Sequence, residues 1–363
     1  MGYVLMYLLL FPFQKIFNLF KKTTGKNLII QTAKIGDFIN VTPMLHALGH
    51  SDIIMSKIIE PLVLHDDKIL HYYIIEEVKN NFFKKMILLF KIMNQYDNVY
   101  LVQPNTINLF LASLCNAPNK QFLKTYINKI HHKLFYSSAT GIVIHTKTDL
   151  TINSYLKLIN RNFRYTDFPK HATSPLHFPT VPPDVLSVQF KGIKIGISIS
   201  AGNKAKTIPA STWFQLIDSL SCLSYNFYIF GVSEDQNYLD DLLKLTGNQS
   251  NLISLIGQLS LEDVPWAISK MDFYISSDSG NAYIADAQKI PIIMFYGCCE
   301  IQEQRPLHNV LLIDPLNDIP ASTFVFDTCF KFAQPAECLF GLNKNNILQI
   351  KTFIEKNVNE KLT

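Results

Sequence analysis

A repeated unit constrains this chain more than any other feature: a short apolar run, a loop of small and polar residues, then a helical pattern. Asn27 to Gln31 (NLIIQ) is one such run. The loop TAKIGD and a helical stretch at Val41 to Leu48 follow it. Short apolar runs bounded by turn-forming residues suit strands buried on both faces. Parallel strands need long crossovers, so strand, loop and helix in succession predict a doubly wound α/β sheet. Phe82 to Met93 reads as an amphipathic helix leading into a strand at Asn98 to Val102, and Tyr155 to Asn160 as a helix closing this half.

Pro169 to Pro183 (PKHATSPLHFPTVPP) interrupts the pattern, because each proline fixes φ and removes a backbone donor. It reads as a linker. Beyond it strands are predicted at Lys194 to Ser200, Asn226 to Phe230, Phe273 to Ser276 and Ile290 to Phe295. Helices are predicted at Thr212 to Leu220, Glu262 to Ile268 and Ala282 to Ala287. A chain of 363 residues, 48% hydrophobic, exceeds one ordinary core and can fill two. The expected class is α/β: two Rossmann-like domains facing each other across a cleft, the GT-B architecture. The expected bounds are 27–180 and 181–345, with 346–363 as a closing helix.

The net charge of +4 is modest and argues against a nucleic-acid binder. Its placement is more telling. Lys15, Lys21, Lys22 and Lys26 lie in residues 1–26 without an acid among them, so the remainder is close to neutral. Tyr3 to Phe13 is an apolar run containing Pro12, and Phe17, Leu19 and Phe20 extend it. Gln14, Lys15 and Asn18 interrupt the stretch of about 20 apolar residues that a span requires. A secretory signal is not expected, since a basic n-region and a small-residue cleavage site are both missing. Residues 1–26 are therefore expected to lie in the interface of an anionic membrane. A single span, or an extra helix packed on the domain, stays open. Deletion of residues 1–24 is expected to leave a folded protein, because the first strand starts at Asn27. Cys115, Cys222, Cys298, Cys299, Cys329 and Cys338 form no CxxC pair and no disulfide framework, which fits a reducing cytoplasm. The adjacent Cys298 and Cys299 lack partners at metal-ligand spacing and read as buried thiols.

The sequence lacks GxGxxG after a strand, GxxxxGK[ST], GxSxG and HExxH. Dinucleotide oxidoreductases, P-loop NTPases, α/β-hydrolases and zincins are thereby disfavoured. Four loops at strand carboxyl ends carry the positive signal, since ligands of open α/β sheets bind there. In Lys34-Ile35-Gly36-Asp37 the carboxylate either takes a proton from an attacking hydroxyl or caps the next helix. In Ala201-Gly202-Asn203-Lys204-Ala205-Lys206 the lysines either meet phosphate charge or are solvated. In Gly231-Val232-Ser233-Glu234-Asp235 an acid can hold ribose hydroxyls. In Ser277-Asp278-Ser279-Gly280-Asn281-Ala282 small residues at a helix N-terminus suit a diphosphate, or simply cap.

Taken in order, these loops resemble the heptosyltransferase family, glycosyltransferase family 9. The resemblance lies in NLIIQTAKIGDFINVTPMLHAL, GISISAGNKAKTIPASTWFQLIDSL and DFYISSDSGNAYIADAQKIPIIMFYG, with YDNVYLVQPNTINLFLASLCNAP a looser match. It implies an inverting enzyme that moves heptose from an ADP-activated donor to a lipopolysaccharide or lipooligosaccharide core acceptor. No metal or other cofactor is required. On this resemblance Asp37 is the general base, and Lys206 of the KxxP loop meets the donor diphosphate. Gly202, Ser233, Glu234, Asp278, Ser279, Gly280 and Tyr283 complete the donor side. Lys34, Gly36 and Asn105 belong to the acceptor side. The implied location is peripheral, on the cytoplasmic face of a bacterial inner membrane. The chain departs from the family in having Tyr283 where a histidine is common, and Ala201 and Gly202 where Thr or Ser is usual. Ile107 and Asn108 stand near a commonly basic position. These departures keep two alternatives open: a related GT-B transferase with another nucleotide sugar, or a silent membrane-associated binding protein of the same fold.

Overall fold

The apolar runs of the first half become parallel strands: β1 (Asn27–Ile30), β2 (Ser51–Met55), β3 (Ile69–Ile74), β4 (Asn98–Leu101), β5 (Asn119–Lys124) and β6 (Gly141–Ile144). Their order in the sheet is β3-β2-β1-β4-β5-β6. The second half repeats the plan with β7 (Ile193–Ser198), β8 (Tyr225–Phe230), β9 (Leu252–Ser254), β10 (Phe273–Ser277), β11 (Ile292–Phe295) and β12 (Val310–Ile313). The order there is β12-β11-β10-β7-β8-β9. Both sheets therefore have the doubly wound Rossmann order, which reverses between β1 and β4 and between β7 and β10. Leu28 pairs with Val99 across the first reversal and Ile195 with Phe273 across the second.

This computed structural model describes residues 2–172, 178–179, 183–187, 192–221, 224–247, 249–317, 319, 325–326 and 335–362. Cys222, Cys329 and much of the proline-rich linker lie outside them. The chain divides into two units. The first comprises Met1–Lys170 with Gln302–Gln304 and Val325–Asp327; the second comprises His171–Ile301, Arg305–Phe324 and Thr328–Thr363.

The helices used below are α1 (Gly2–Asn18), α2 (Ile35–Leu48), α3 (Phe82–Met93), α4 (Thr106–Leu114), α5 (Thr151–Lys157), α6 (Ala210–Ser219), α7 (Gly280–Ala287) and α8 (Lys344–Leu362). Two differ from expectation in a way that bears on function. α2 begins at Ile35 and not at Val41, because Lys34 is extended and Asp37 accepts its N–H at 3.3 Å. Asp37 thus lies inside the first helical turn. α5 begins at Thr151, whose N–H and hydroxyl both donate to the Glu303 carbonyl, at 2.9 and 2.7 Å. A contact so distant in sequence leaves no local pattern.

α1 packs against α4 within the first unit. Tyr7 is 4% exposed and meets Phe135 edge-on at 5.4 Å, while Tyr3 lies 5.3 Å from Phe110. Gln14 Nε2 donates to the Ser113 carbonyl, and Asn116 Nδ2 donates to the Gln14 carbonyl. Beyond the helix, Asp97 accepts from Lys21 Nζ at 2.7 Å and from the N–H groups of Thr24 and Gly25 at 2.7 and 2.6 Å. Burial pushes the Asp97 carboxyl up, but Lys21 and these N–H donors outweigh it and hold it below the usual range. The inner side of α1 therefore shares the core of the first unit, and Lys21, Thr24 and Gly25 tie the segment after it to Asp97. Among the described residues no helix is long and apolar enough to cross a membrane. In the second unit Trp213 of α6, Phe273, Phe295 and, from α8, Ile350 and Ile354 fill one core.

Candidate active site

The reversal of strand order opens a crevice at the carboxyl ends of the flanking strands. In the first unit those strands are β1 and β4, and the loops after them carry Lys34, Gly36, Asp37 and Asn105. Asn105 caps α4, its side-chain oxygen accepting from the Asn108 N–H at 3.0 Å. Its Nδ2 donates to the Thr32 hydroxyl at 3.2 Å, and Asn108 Nδ2 donates to the same oxygen at 2.7 Å. The two loops are thus stitched together through Thr32. Gly36 is buried and Lys34 exposed. Asp37 is half-buried, with Oδ2 toward the Lys34 N–H and Oδ1 shielded from solvent.

Behind α2 packs α5, which contributes Tyr155. Burial raises the Tyr155 hydroxyl well above its ordinary value, and the charges of Asp37 and Glu303 and the hydroxyl of Tyr126 add to the effect. Among the described residues the Tyr155 hydroxyl has no hydrogen-bond partner. Glu303 accepts from Tyr126 at 2.7 Å and contacts His145 Nε2 at 3.0 Å; His145 Nδ1 meets the Ser154 hydroxyl at 2.9 Å. His145 and Glu303 are fully buried. Sequence reasoning missed Tyr155, His145 and Glu303, which become neighbours only through the return of residues 302–304 to the first unit.

In the second unit the reversal lies between β7 and β10. Lys206 follows β7 and Asp278 follows β10, and they form an ion pair through Nζ and Oδ2, with side chains 11% and 12% exposed. Asp278 Oδ1 accepts from the Tyr283 hydroxyl at 2.7 Å. Burial pushes the Asp278 carboxyl up, but the charge and hydrogen bond of Lys206, then bonds from Tyr283 and Cys299, outweigh it and hold it below the usual range. Tyr283 itself is buried on α7. Ser279 and Gly280 form the N-cap and first residue of α7, and the Ser279 hydroxyl is buried with no partner among the described residues. Asn281 Nδ2 reaches Ser198 Oγ at 3.3 Å, tying the start of α7 to the end of β7. This is an ordered helix N-terminus beside a fixed ammonium, an arrangement suited to anions.

Gly202 lies in the loop before the Lys204–Lys206 turn, where an added Cβ would meet open space. Ser233 and Glu234 lie on an exposed turn after β8, one strand beyond β7. Among the described residues no hydrogen bond joins these two to Lys206 or Asp278. Gly257, missed in the sequence, abuts this turn at φ +68°; a Cβ there would lie 2.5 Å from the Ser233 hydroxyl oxygen. Only glycine suits both the conformation and the approach.

Burial pushes the thiol of Cys298 up to about 12 and that of Cys299 well above its ordinary value. Among the described residues no group of three or more His, Cys, Asp or Glu side chains is arranged to hold a metal ion.

Two Rossmann-ordered sheets give the chain the GT-B architecture, and the family model that matches it makes it a glycosyltransferase of that type. It belongs to glycosyltransferase family 9 (heptosyltransferase), whose model matches residues 93–321. That span contains Lys206, Asp278 and Tyr283; Asp37 precedes it. No curated protein matches the chain. Solved structures that share its fold include the following three. Escherichia coli ADP-heptose lipopolysaccharide heptosyltransferase II is 16% identical, with a TM-score of 0.67 over 91% of this chain and 99% of that one. E. coli heptosyltransferase WaaC with ADP is 17% identical, with a TM-score of 0.62 over 92% and 98%. The iron-containing dodecameric glycosyltransferase TibC of enterotoxigenic E. coli is 13% identical, with a TM-score of 0.54 over 93% and 78%.

Proposed function

We propose that this enzyme transfers a heptose from an ADP-activated donor to a lipopolysaccharide or lipooligosaccharide core acceptor with inversion at the anomeric carbon. The observation that carries this is the Lys206–Asp278–Tyr283 cluster at the second switch point, in a family-9 chain whose structural neighbours include a heptosyltransferase with ADP. Asp278 positions the Lys206 ammonium. An ammonium has three N–H donors, so it can serve the carboxylate and a phosphate oxygen together. The start of α7, with Ser279 and Gly280, offers backbone N–H groups to the second phosphate. Gly202, Ser233 and Glu234 border the nucleoside and sugar.

On the first unit Lys34, Gly36 and Asn105 border the acceptor. An acceptor hydroxyl attacks the donor's anomeric carbon, the bond from that carbon to the diphosphate oxygen breaks, and Asp37 takes the hydroxyl proton. ADP leaves with its charge met by Lys206 and the helix terminus. Displacement of a good leaving group in this way calls on orientation, charge neutralisation and a base, and on no resident metal. Residues 27–180 serve as the acceptor domain and 181–345 as the donor domain. Residues 1–26 hold the enzyme on the cytoplasmic face of the inner membrane, where a lipid-linked acceptor is found.

Tyr283 favours a second reading, a different nucleotide sugar, because a phenol cannot supply the positive charge of a histidine at pH 7. Incubation with ADP-heptose and with UDP- and GDP-hexoses, on a truncated core acceptor, separates the two by product mass. A heptose-sized increment from ADP-heptose alone supports the first; turnover only with a hexose donor replaces it with the second.

A further inference from the structure

We propose that the outer faces of α1 and α3 together form one membrane-docking surface that seats the first unit in the interfacial layer of an anionic bilayer. This rests on the peripheral location given above and extends it from the N-terminal segment to a helix in the body of the fold.

α1 is apolar on both sides. Its inner side, with Tyr3, Tyr7 and Leu10, packs on the unit's core. Its outer side presents Leu5, Leu8, Leu9, Phe13 and Ile16, each more than half exposed. A helix of a water-soluble domain turns a polar face outward; one apolar all round needs a second apolar environment. α3 repeats the arrangement. Leu88, Leu89, Ile92 and Met93 are buried, while Phe83, Ile87 and Phe90, at i, i+4 and i+7, line an exposed stripe. Phe83 is 77% exposed and Ile87 67%. The two faces adjoin: the rings of Phe17 and Phe90 lie 5.8 Å apart, and Asn94 Nδ2 donates to the Phe17 carbonyl at 2.8 Å.

The charge on this surface selects the occupant. Neither helix contains an acid, and Lys15, Lys84 and Lys91 are exposed among the apolar residues. Of the nearby carboxylates, Asp97 is paired with Lys21, and Glu60 and Glu77 line a hollow beside α3 together with Lys84 and Lys91, so Lys15 and the outward ends of these two lysines carry the net positive charge. A second copy docked on the same face would bring these lysines against their own kind. Anionic headgroups would meet them favourably while the aromatic and aliphatic side chains entered the acyl boundary.

Flotation of the full chain with phosphatidylcholine vesicles, with and without added phosphatidylglycerol, tests this. Phe83→Ser with Ile87→Ser leaves α1 intact, and both sites are too exposed to support the core. The partition coefficient is expected to fall about tenfold or more, since two large apolar side chains lose their burial. Activity on a delipidated acceptor should be unchanged. Lys84→Gln with Lys91→Gln should weaken binding to the anionic vesicles only. If the α3 double variant floats like the unaltered chain while Leu8→Ser with Leu9→Ser does not, α1 alone docks and the proposal falls. If the unaltered chain floats with neither vesicle, the peripheral location itself fails. If sedimentation shows a dimer that the α3 variant disperses, with no vesicle binding, the surface is a protein interface and the proposal is overturned.

Discussion

Lys206 and Asp278 come from loops 72 residues apart and form a nearly buried ion pair at the point where the second sheet reverses its strand order. The pair exists because β7 and β10 are neighbours in that sheet. Neither residue has the other's geometry written in its own loop. The pair fixes an ammonium beside the N-terminus of α7.

Lys206→Ala should weaken ADP binding by tenfold or more on the order of charge-assisted hydrogen-bond energies. It should also destabilise the second unit, because Asp278 would keep its burial and lose its counter-charge. Calorimetry with ADP, beside thermal unfolding, reads both effects. Unchanged affinity would mean that the lysine serves the fold alone.

Tyr283→Phe removes one donor to Asp278 while keeping the ring packed, and should cost about 1 kcal/mol of stability at neutral pH. The folded-state pKa of Asp278 is depressed, so its stabilisation is present above the unfolded-state value of about 3.9 and is lost as pH falls through the folded-state value. The difference between variant and unaltered chain should therefore be full near pH 7 and shrink below about pH 4. Urea unfolding at several pH values checks this. A difference that grows on acidification would contradict it.

Tyr7→Ala should destabilise the first unit by about 2–4 kcal/mol, as expected for a buried aromatic ring. Deletion of residues 1–24 should lower Tm further, because it strips α4 of its cover and Asp97 of Lys21. The sequence alone led to the opposite expectation, a dispensable segment before the first strand. Thermal unfolding of both variants decides the matter, and an unaltered Tm on deletion would restore that expectation.

That difference shows what was legible in the chain. Periodicity located α3 at Phe82–Met93 and placed β1, β4, β7, β8, β10 and β11 to within a few residues, because each is a nearly unbroken apolar run. β2, β3, β5, β6, β9 and β12 were not read as strands; in β5 (NKQFLK) Lys120 is buried by donating to the Ser113 carbonyl, which no hydropathy pattern reveals. The loop residues Lys206, Asp278 and Tyr283 were legible as separate motifs; their meeting depends on strand order. Gly36 made TAKIGD look like a loop throughout, yet the extended Lys34 and the Asp37 carboxylate start the helix there. The Glu303–His145 contact spans 158 residues and was beyond any local signal.

The central claim is that Asp37 takes the acceptor proton. Asp37 also accepts the Lys34 N–H, so a test must separate the base from the cap. Asp37→Asn does so: an amide oxygen accepts that hydrogen bond as readily, but an amide has no useful basicity. Single-turnover transfer from ADP-heptose to a truncated core acceptor, with ADP affinity measured alongside, is the most direct measurement. The account predicts a rate lower by about 100-fold or more with ADP affinity and Tm unchanged. A rate near that of the unaltered enzyme would contradict it and leave Asp37 as a helix cap.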